Sequence, residues 1–505
     1  MTGATVRLEA AWRVWGSHFF IILVFATLLR LPYFNNPGIH IDEQYYLVVA
    51  DKWINGDLLP YVDIWDRKPL GTFLVYALAV VLFANAVVGY QVLGLLSIVA
   101  TCWAIYRIGE QIADRTVALG AALIYAVAPM LMEGAAGQTP VFYNLPVAVA
   151  ALLYVRHAAD DASPRRPWAT TVAASLLLGV AVQIKYIAAF EAAALSLFAL
   201  AVFAVAGMTR VRLSAVTAVM IACGVLPTGL VAAGYALIGR WDEFFFANFQ
   251  SIFAKRIGAL PHSFAWEFGL STLFCIVFLP FAASGLRHAL SRARGDRLIM
   301  IGLAAWLGAA FLGAIILGNP NRHYFLPTLP PLALFTAIGV AAFAQQLSRR
   351  RVFAGMLVLP VIASFAIAEI STRNRGEADD IYAIGDYIKT HLGDRCPFVF
   401  NRLPILYTLS GACIPTKYAF PGHLIESSEL DALPVDSLGE LRRVLEARPP
   451  MVFVRRPYAA DVDERAIAVL EQFLQSHYDL QQSWPGAAQR YFIYVPRQHP
   501  SAGGG

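Results

Sequence analysis

Long apolar runs separated by short polar segments occupy roughly the first three-quarters of the chain. Phe19–Leu31, Trp168–Ile184, Val211–Ile238 and Leu298–Leu317 are representative, and they approach or exceed the ~20 apolar residues that cross a bilayer. No water is available in lipid to satisfy backbone N–H and C=O groups, so such runs must be helices. The pattern predicts about 11 crossings, with a range of 10 to 13. Residues 70–106 are ambiguous, because two helices broken near Asn85 fit the pattern whereas loop parity allows one crossing; Leu70–Phe83 is then interfacial or re-entrant.

From about residue 375 the periodicity changes. Asp379–Leu392, Leu438–Ala447 and Asp463–His477 have the 3.6-residue spacing of amphipathic helices, while Pro397–Asn401, Met451–Val454 and Arg490–Val495 read as short buried strands. Alternating helices and strands predict a small α/β domain. The expected fold class is a polytopic α-helical membrane protein with a small C-terminal α/β extracytoplasmic domain. Its parts are a transmembrane domain over 1–374 with an outer loop at 35–68, the α/β domain over 375–498, and a disordered tail at 499–505.

Composition agrees with the pattern: of 505 residues, 58% are hydrophobic and 14% charged, far from soluble averages. The net charge of +5 gives no support to nucleic-acid binding, because the arginines collect in loops. They cluster at Arg107/Arg115, Arg156/Arg165/Arg166, Arg210/Arg212, Arg287 to Arg297 and Arg349/Arg350/Arg351. Placing these loops inside puts the N-terminus in the cytoplasm and the tail after Ile370 outside. The first apolar run lacks a small-x-small cleavage site and reads as an uncleaved signal anchor. Cys102, Cys223 and Cys275 lie in apolar helices as packing residues. Cys396 and Cys413 share the tail, where a disulfide would require an oxidising compartment.

The outer loops hold the candidate chemistry. One runs from His40-Ile41-Asp42-Glu43-Gln44-Tyr45-Tyr46 to Pro60-Tyr61-Val62-Asp63-Ile64-Trp65-Asp66-Arg67-Lys68-Pro69. A carboxylate at Asp42 or Glu43 can take a proton from an attacking hydroxyl or amine. Cations at Arg67 and Lys68 can neutralise a departing phosphate. The bland alternative is that Asp42 and Glu43 favour a helix N-terminus while Lys68 snorkels to headgroups. A second segment, Gly318-Asn319-Pro320-Asn321-Arg322-His323-Tyr324-Phe325-Leu326-Pro327, puts Arg322 on the outer face, where a guanidinium suits bidentate phosphate binding; an ordinary turn with interfacial anchors is its alternative. Tyr45, Tyr46, Asp66, His323 and Tyr324 are expected to line the substrate cavity. Glu133, Gln138–Asn144, Lys185 and Tyr186 are weaker candidates, and Trp241–Glu243 with Lys255-Arg256 reads as an amphipathic surface segment.

At these residues the sequence resembles the C-type glycosyltransferase superfamily, in particular bacterial relatives of protein O-mannosyltransferase and of the lipid A aminoarabinose transferase. The resemblance rests on Asp42-Glu43-Gln44-Tyr45-Tyr46, on Pro60 through Pro69, and on Arg322 to Pro327, where one residue is inserted between Arg and Tyr. It implies inversion at the anomeric carbon, with Asp42 as general base, Glu43 in support, and Lys68, Arg67 and Arg322 on the lipid phosphate. Implied partners are a polyprenyl-phosphate sugar donor, the bilayer, and a lipid A or core, other glycan, or protein acceptor. No cofactor is required by this reading; Asp63, Asp66 and His323 could offer ligands to a divalent metal, but no spacing compels one. A transporter or flippase of lipid-linked glycans is the competing class, although no repeated halves with matched broken helices occur. A ligase or polymerase would carry a larger late outer loop than Gly239–Ser263.

Overall fold

The structure is a computed structural model and describes residues 2–159, 167–254, 269, 272–273, 276–291, 294–316, 321–344, 348–430, 432–486 and 489–497. Arg165/Arg166, Lys255-Arg256, Cys275, Gly318–Pro320 and the expected disordered tail at 499–505 lie outside the described residues. Among the described residues ten helices are long and apolar enough to cross a membrane, from Trp15–Tyr33 to Arg349–His391, so the chain is a multi-pass membrane protein. Helix Arg210–Leu237 shows how lipid replaces water as solvent: Val211 is 81% and Leu237 88% exposed, which is tolerable only against hydrocarbon.

The break near Asn85 is real. Helix α1 covers Thr2–Arg30, α2 Ile41–Gly56, α3 Leu70–Leu82 and α4 Ala86–Ile112. The Asn85 side chain accepts from the amides of Val87 and Val88 at 3.0 and 3.2 Å, so it caps α4 and stops α3 from running on. At about 1.5 Å per residue, the 13 residues of α3 extend about 20 Å, short of the ~30 Å hydrocarbon core.

The chain divides into two compact units, one of residues 1–34, 91–231 and 264–368, the other of 35–90, 232–263 and 369–505. The first is a helical bundle whose closest approach is made by glycines. A Cβ on Gly285 would lie 1.9 Å from the Phe335 carbonyl oxygen, and one on Gly339 1.8 Å from that of Phe281. Helices Leu279–Leu290 and Leu329–Phe343 therefore meet backbone to backbone, the packing that lipid-embedded helices use. Buried in the same bundle, Trp306 donates its indole N–H to Glu191 at 2.7 Å.

The second unit joins the outer loop to the α/β tail. Helix Arg349–Arg375 ends at Gly376, whose φ of +117° suits glycine alone. Four strands follow, β1 Phe398–Val399, β2 Val452–Arg456, β3 Tyr478–Pro485 and β4 Arg490–Pro496, in the order β1-β2-β4-β3. β1 and β2 are parallel, and β4 pairs antiparallel with both β2 and β3. The expected helices appear at Ala378–His391, Ser437–Glu446 and Glu464–His477. Asp436 caps the second by accepting from Gly439 at 2.9 Å, and Asp463 caps the third by accepting from Arg465 at 2.9 Å. Strand β3 is the element that sequence reading missed: Asp479, Gln481, Gln482 and Ser483 are exposed and give no apolar alternation. Cys396 and Cys413 form a disulfide with their Cα atoms 5.0 Å apart.

Candidate active site

The site in the second unit begins at the N-terminus of α2. His40 is extended, and its ring Nδ1 accepts from the Asp42 amide at 3.2 Å. This caps the helix and sets Asp42 and Glu43 in its first turn, where the helix dipole favours negative charge. Asp42 is half-buried, while Glu43, Tyr45 and Tyr46 are buried. The chain leaves α2 through Asp57, whose φ of 55° is left-handed, and makes a tight turn in which the Tyr61 amide donates to the Ile64 carbonyl at 2.7 Å.

Three hydrogen bonds then fix the stretch that carries the charges. Tyr45 Oη donates to the Trp65 carbonyl at 2.8 Å, Tyr61 Oη to the Lys68 carbonyl at 2.8 Å, and the Trp65 amide to the Lys417 carbonyl at 2.8 Å. Tyr45 and Tyr61, both C-terminal to the acidic pair, thus hold the loop main chain. Asp66 is buried, and loss of water pushes its carboxyl up to about 6. Lys68 and Arg67 pull against that rise, as does the Arg67 amide donating to Asp66 Oδ1 at 2.6 Å, while Asp42 adds to it. Asp42 and Lys68, from the two ends of the outer-loop motif, thus both act electrostatically on the Asp66 carboxyl group. Lys68 Nζ lies 5.8 Å from the centre of the Tyr46 ring, a cation–π contact that orients the ammonium.

Arg67 has a partner that the sequence did not announce. Its guanidinium makes a two-pronged pair with Glu429 at 2.9 and 2.5 Å, with both side chains nearly buried. The fork expected for lipid phosphate is filled by a carboxylate of the tail, so Lys68 becomes the principal cationic candidate in this unit. His423 was also missed: its ring packs edge-on against Trp65 at 4.7 Å and lies 4.9 Å from Phe420. Glu429 and His423 sit more than 350 positions from the loop, and neither is preceded by a recognisable motif.

The first unit has a cluster of its own residues. Glu133, at a left-handed φ of 63°, accepts from Arg322 at 3.3 Å and contacts His323 Nδ1 at 3.1 Å. Lys185 Nζ stands 4.2 Å over the Tyr324 ring. A 3-10 turn over Arg322–Thr328 presents these side chains, and Asn144 holds it by donating to the Leu326 carbonyl at 3.2 Å. Arg322, His323 and Tyr324 thus join Glu133 and Lys185, the weaker candidates of the sequence. His323 is buried beside Glu133, and Asp63 Oδ2 is engaged by the Leu59 amide at 3.0 Å.

The ten membrane-length helices among the described residues and the small C-terminal sheet have the C-type fold of membrane glycosyltransferases. The chain aligns over 96% of its length with 98% of ArnT from Cupriavidus metallidurans, at a TM-score of 0.63 and 13% identity, both in the apo state and in the structure of that protein bound to undecaprenyl phosphate. The apo oligosaccharyltransferase of Archaeoglobus fulgidus is similar over 96% of this chain and 74% of that one, with a TM-score of 0.55 and 14% identity. The mycobacterial arabinofuranosyltransferase AftD matches over 96% of this chain and 41% of that one, at 0.53 and 15%. Residues 67–230 match the family of dolichyl-phosphate-mannose-protein mannosyltransferases. No curated protein matches by sequence. The resemblance drawn from the motifs holds at the level of fold.

Proposed function

We propose that the chain is an inverting membrane glycosyltransferase that moves a sugar from a polyprenyl-phosphate donor to an acceptor of the bacterial envelope. The charges of Asp42 and Lys68 acting on the one Asp66 carboxyl, with Lys68 held against the Tyr46 ring beside the acidic pair, support this reading. An acceptor hydroxyl or amine attacks the anomeric carbon as Asp42 takes its proton, and Glu43 supports that carboxylate. The bond from the anomeric carbon to the phosphate oxygen breaks, and the electron pair leaves with the lipid phosphate, whose charge Lys68 meets. Arg322 is the candidate second cation. The undecaprenyl phosphate bound by ArnT supports the choice of donor class. The sugar is a hexose or a pentose, and the acceptor is lipid A or core, another glycan, or a protein. We place the N-terminus in the cytoplasm and the tail in the periplasm, in keeping with the arginine-rich loops and with the disulfide.

The test compares wild type with Asp42→Asn for glycolipid and glycoprotein content of the cells and for binding of undecaprenyl phosphate to the purified enzyme. The expected result is a loss of transfer of about 10²–10⁴-fold, accumulation of one polyprenyl-phosphate sugar, and retained lipid-phosphate binding. Unchanged glycans with normal expression would overturn the assignment.

A further inference from the structure

The second unit contains a groove that the charge cluster does not use. Its volume is about 930 Å³, and its walls come from the C-terminal turn of α2, the following loop and the disulfide-tied segment 408–417. That is the size of a site for a small organic molecule, but the lining is of another kind. Asp51, Lys52, Asn55, Asp63, Thr408 and Lys417 supply carboxylate, ammonium, amide and hydroxyl groups beside an apolar patch that includes Leu58, Val62 and Ile414, and among the described residues no aromatic side chain lines it.

The polar groups are built in. Lys52 is 9% exposed, donates to the Tyr407 carbonyl at 3.2 Å and stands 3.3 Å from Asp51. Asn55 donates to Asp51 at 2.8 Å. Thr408 Oγ1 is buried and has no hydrogen-bond partner, a cost that a native structure avoids unless something fills the position. Cys413, itself part of the lining, ties this wall to Cys396, just before β1. The groove also connects to the charge cluster through the main chain: Lys417, on its wall, accepts the amide of Trp65, the residue before Asp66.

We infer that this groove binds a saccharide, the glycan part of the acceptor, a reading that rests on the proposed transferase activity. Alternating donors and acceptors on fixed side chains match a ring of vicinal hydroxyls, each of which both donates and accepts. A peptide would find no exposed strand edge in this lining to pair with.

The test is direct binding of N,N′-diacetylchitobiose to the purified full-length protein in detergent, followed by saturation-transfer NMR, with an uncharged tripeptide as control. Wild type and Asp42→Asn should bind the disaccharide equally, because the groove is separate from the proposed base. Asn55→Trp, at an exposed position pointing into the groove, and Lys417→Ala should each weaken binding at least tenfold. Equal binding by wild type and both groove variants, absence of binding, or preference for the tripeptide would overturn the inference. Loss of transfer in Asp42→Asn tests the catalytic reading separately, so the two failures can be told apart.

Discussion

Asp66 shows what burial does to a single carboxyl group. Burial raises its pKa from the ordinary 3.8 to about 6, so the folded protein holds this proton more tightly than the unfolded chain does. The associated stability is fully present below about pH 4 and is lost as pH rises through about 6. The rise corresponds to about 3 kcal/mol. Asp66→Asn should therefore abolish the part of the pH dependence of thermal unfolding that lies between about pH 4 and 6; a curve parallel to wild type across that window would refute the burial argument. Lys68→Ala should weaken undecaprenyl phosphate binding at least tenfold, measured on purified enzyme, because one ammonium then no longer meets the phosphate; unaltered affinity would count against its role. At this scale Asp42, Glu43, Asp66 and Lys68 were legible because chemistry-bearing residues crowd a loop beside an apolar span. Glu429 and His423 were not, since nothing local distinguishes them from surface residues of the tail.

Elements expose a second set of constraints. The Arg67–Glu429 pair ties the outer loop to the tail within one unit, with side-chain exposures of 11% and 6%. Glu429→Ala would leave a nearly buried guanidinium uncompensated, at a cost of about 3–5 kcal/mol. The double variant Arg67→Met/Glu429→Leu should recover most of that loss in denaturation of the purified protein, and failure to recover would mean that the contact is more than an ion pair. The glycine contact between Leu279–Leu290 and Leu329–Phe343 is stricter. A side chain on Gly339 meets backbone atoms at 1.8 Å, which cannot move without displacing a helix. Gly339→Val is expected to cost about 3 kcal/mol or more, read as loss of monodisperse protein on size-exclusion chromatography. Helix positions were visible in the sequence because lipid forces an apolar period on every residue of a span. Strand β3 was invisible because only its pairing with β4 makes it a strand.

At the scale of the whole molecule, topology and fold rest on different evidence. An alkaline phosphatase fusion after Ile370 should be active, since that reporter folds only where disulfides form, and an inactive fusion in a stably expressed protein would reverse the proposed orientation. The sequence by itself determined that the chain crosses the membrane many times, where its helices lie, that an α/β tail follows, and which loop bears the acids and the cations. Those properties follow from solvent and from backbone hydrogen bonding, which act on each segment separately. Tertiary structure alone decided that Glu429 occupies the Arg67 fork, that Glu133 gathers Arg322 and His323, that Asp66 is desolvated within the influence of Asp42 and Lys68, and that a groove opens beside α2. Such pairings depend on side chains hundreds of positions apart arriving at one place, and no local pattern of apolar and polar residues encodes that meeting.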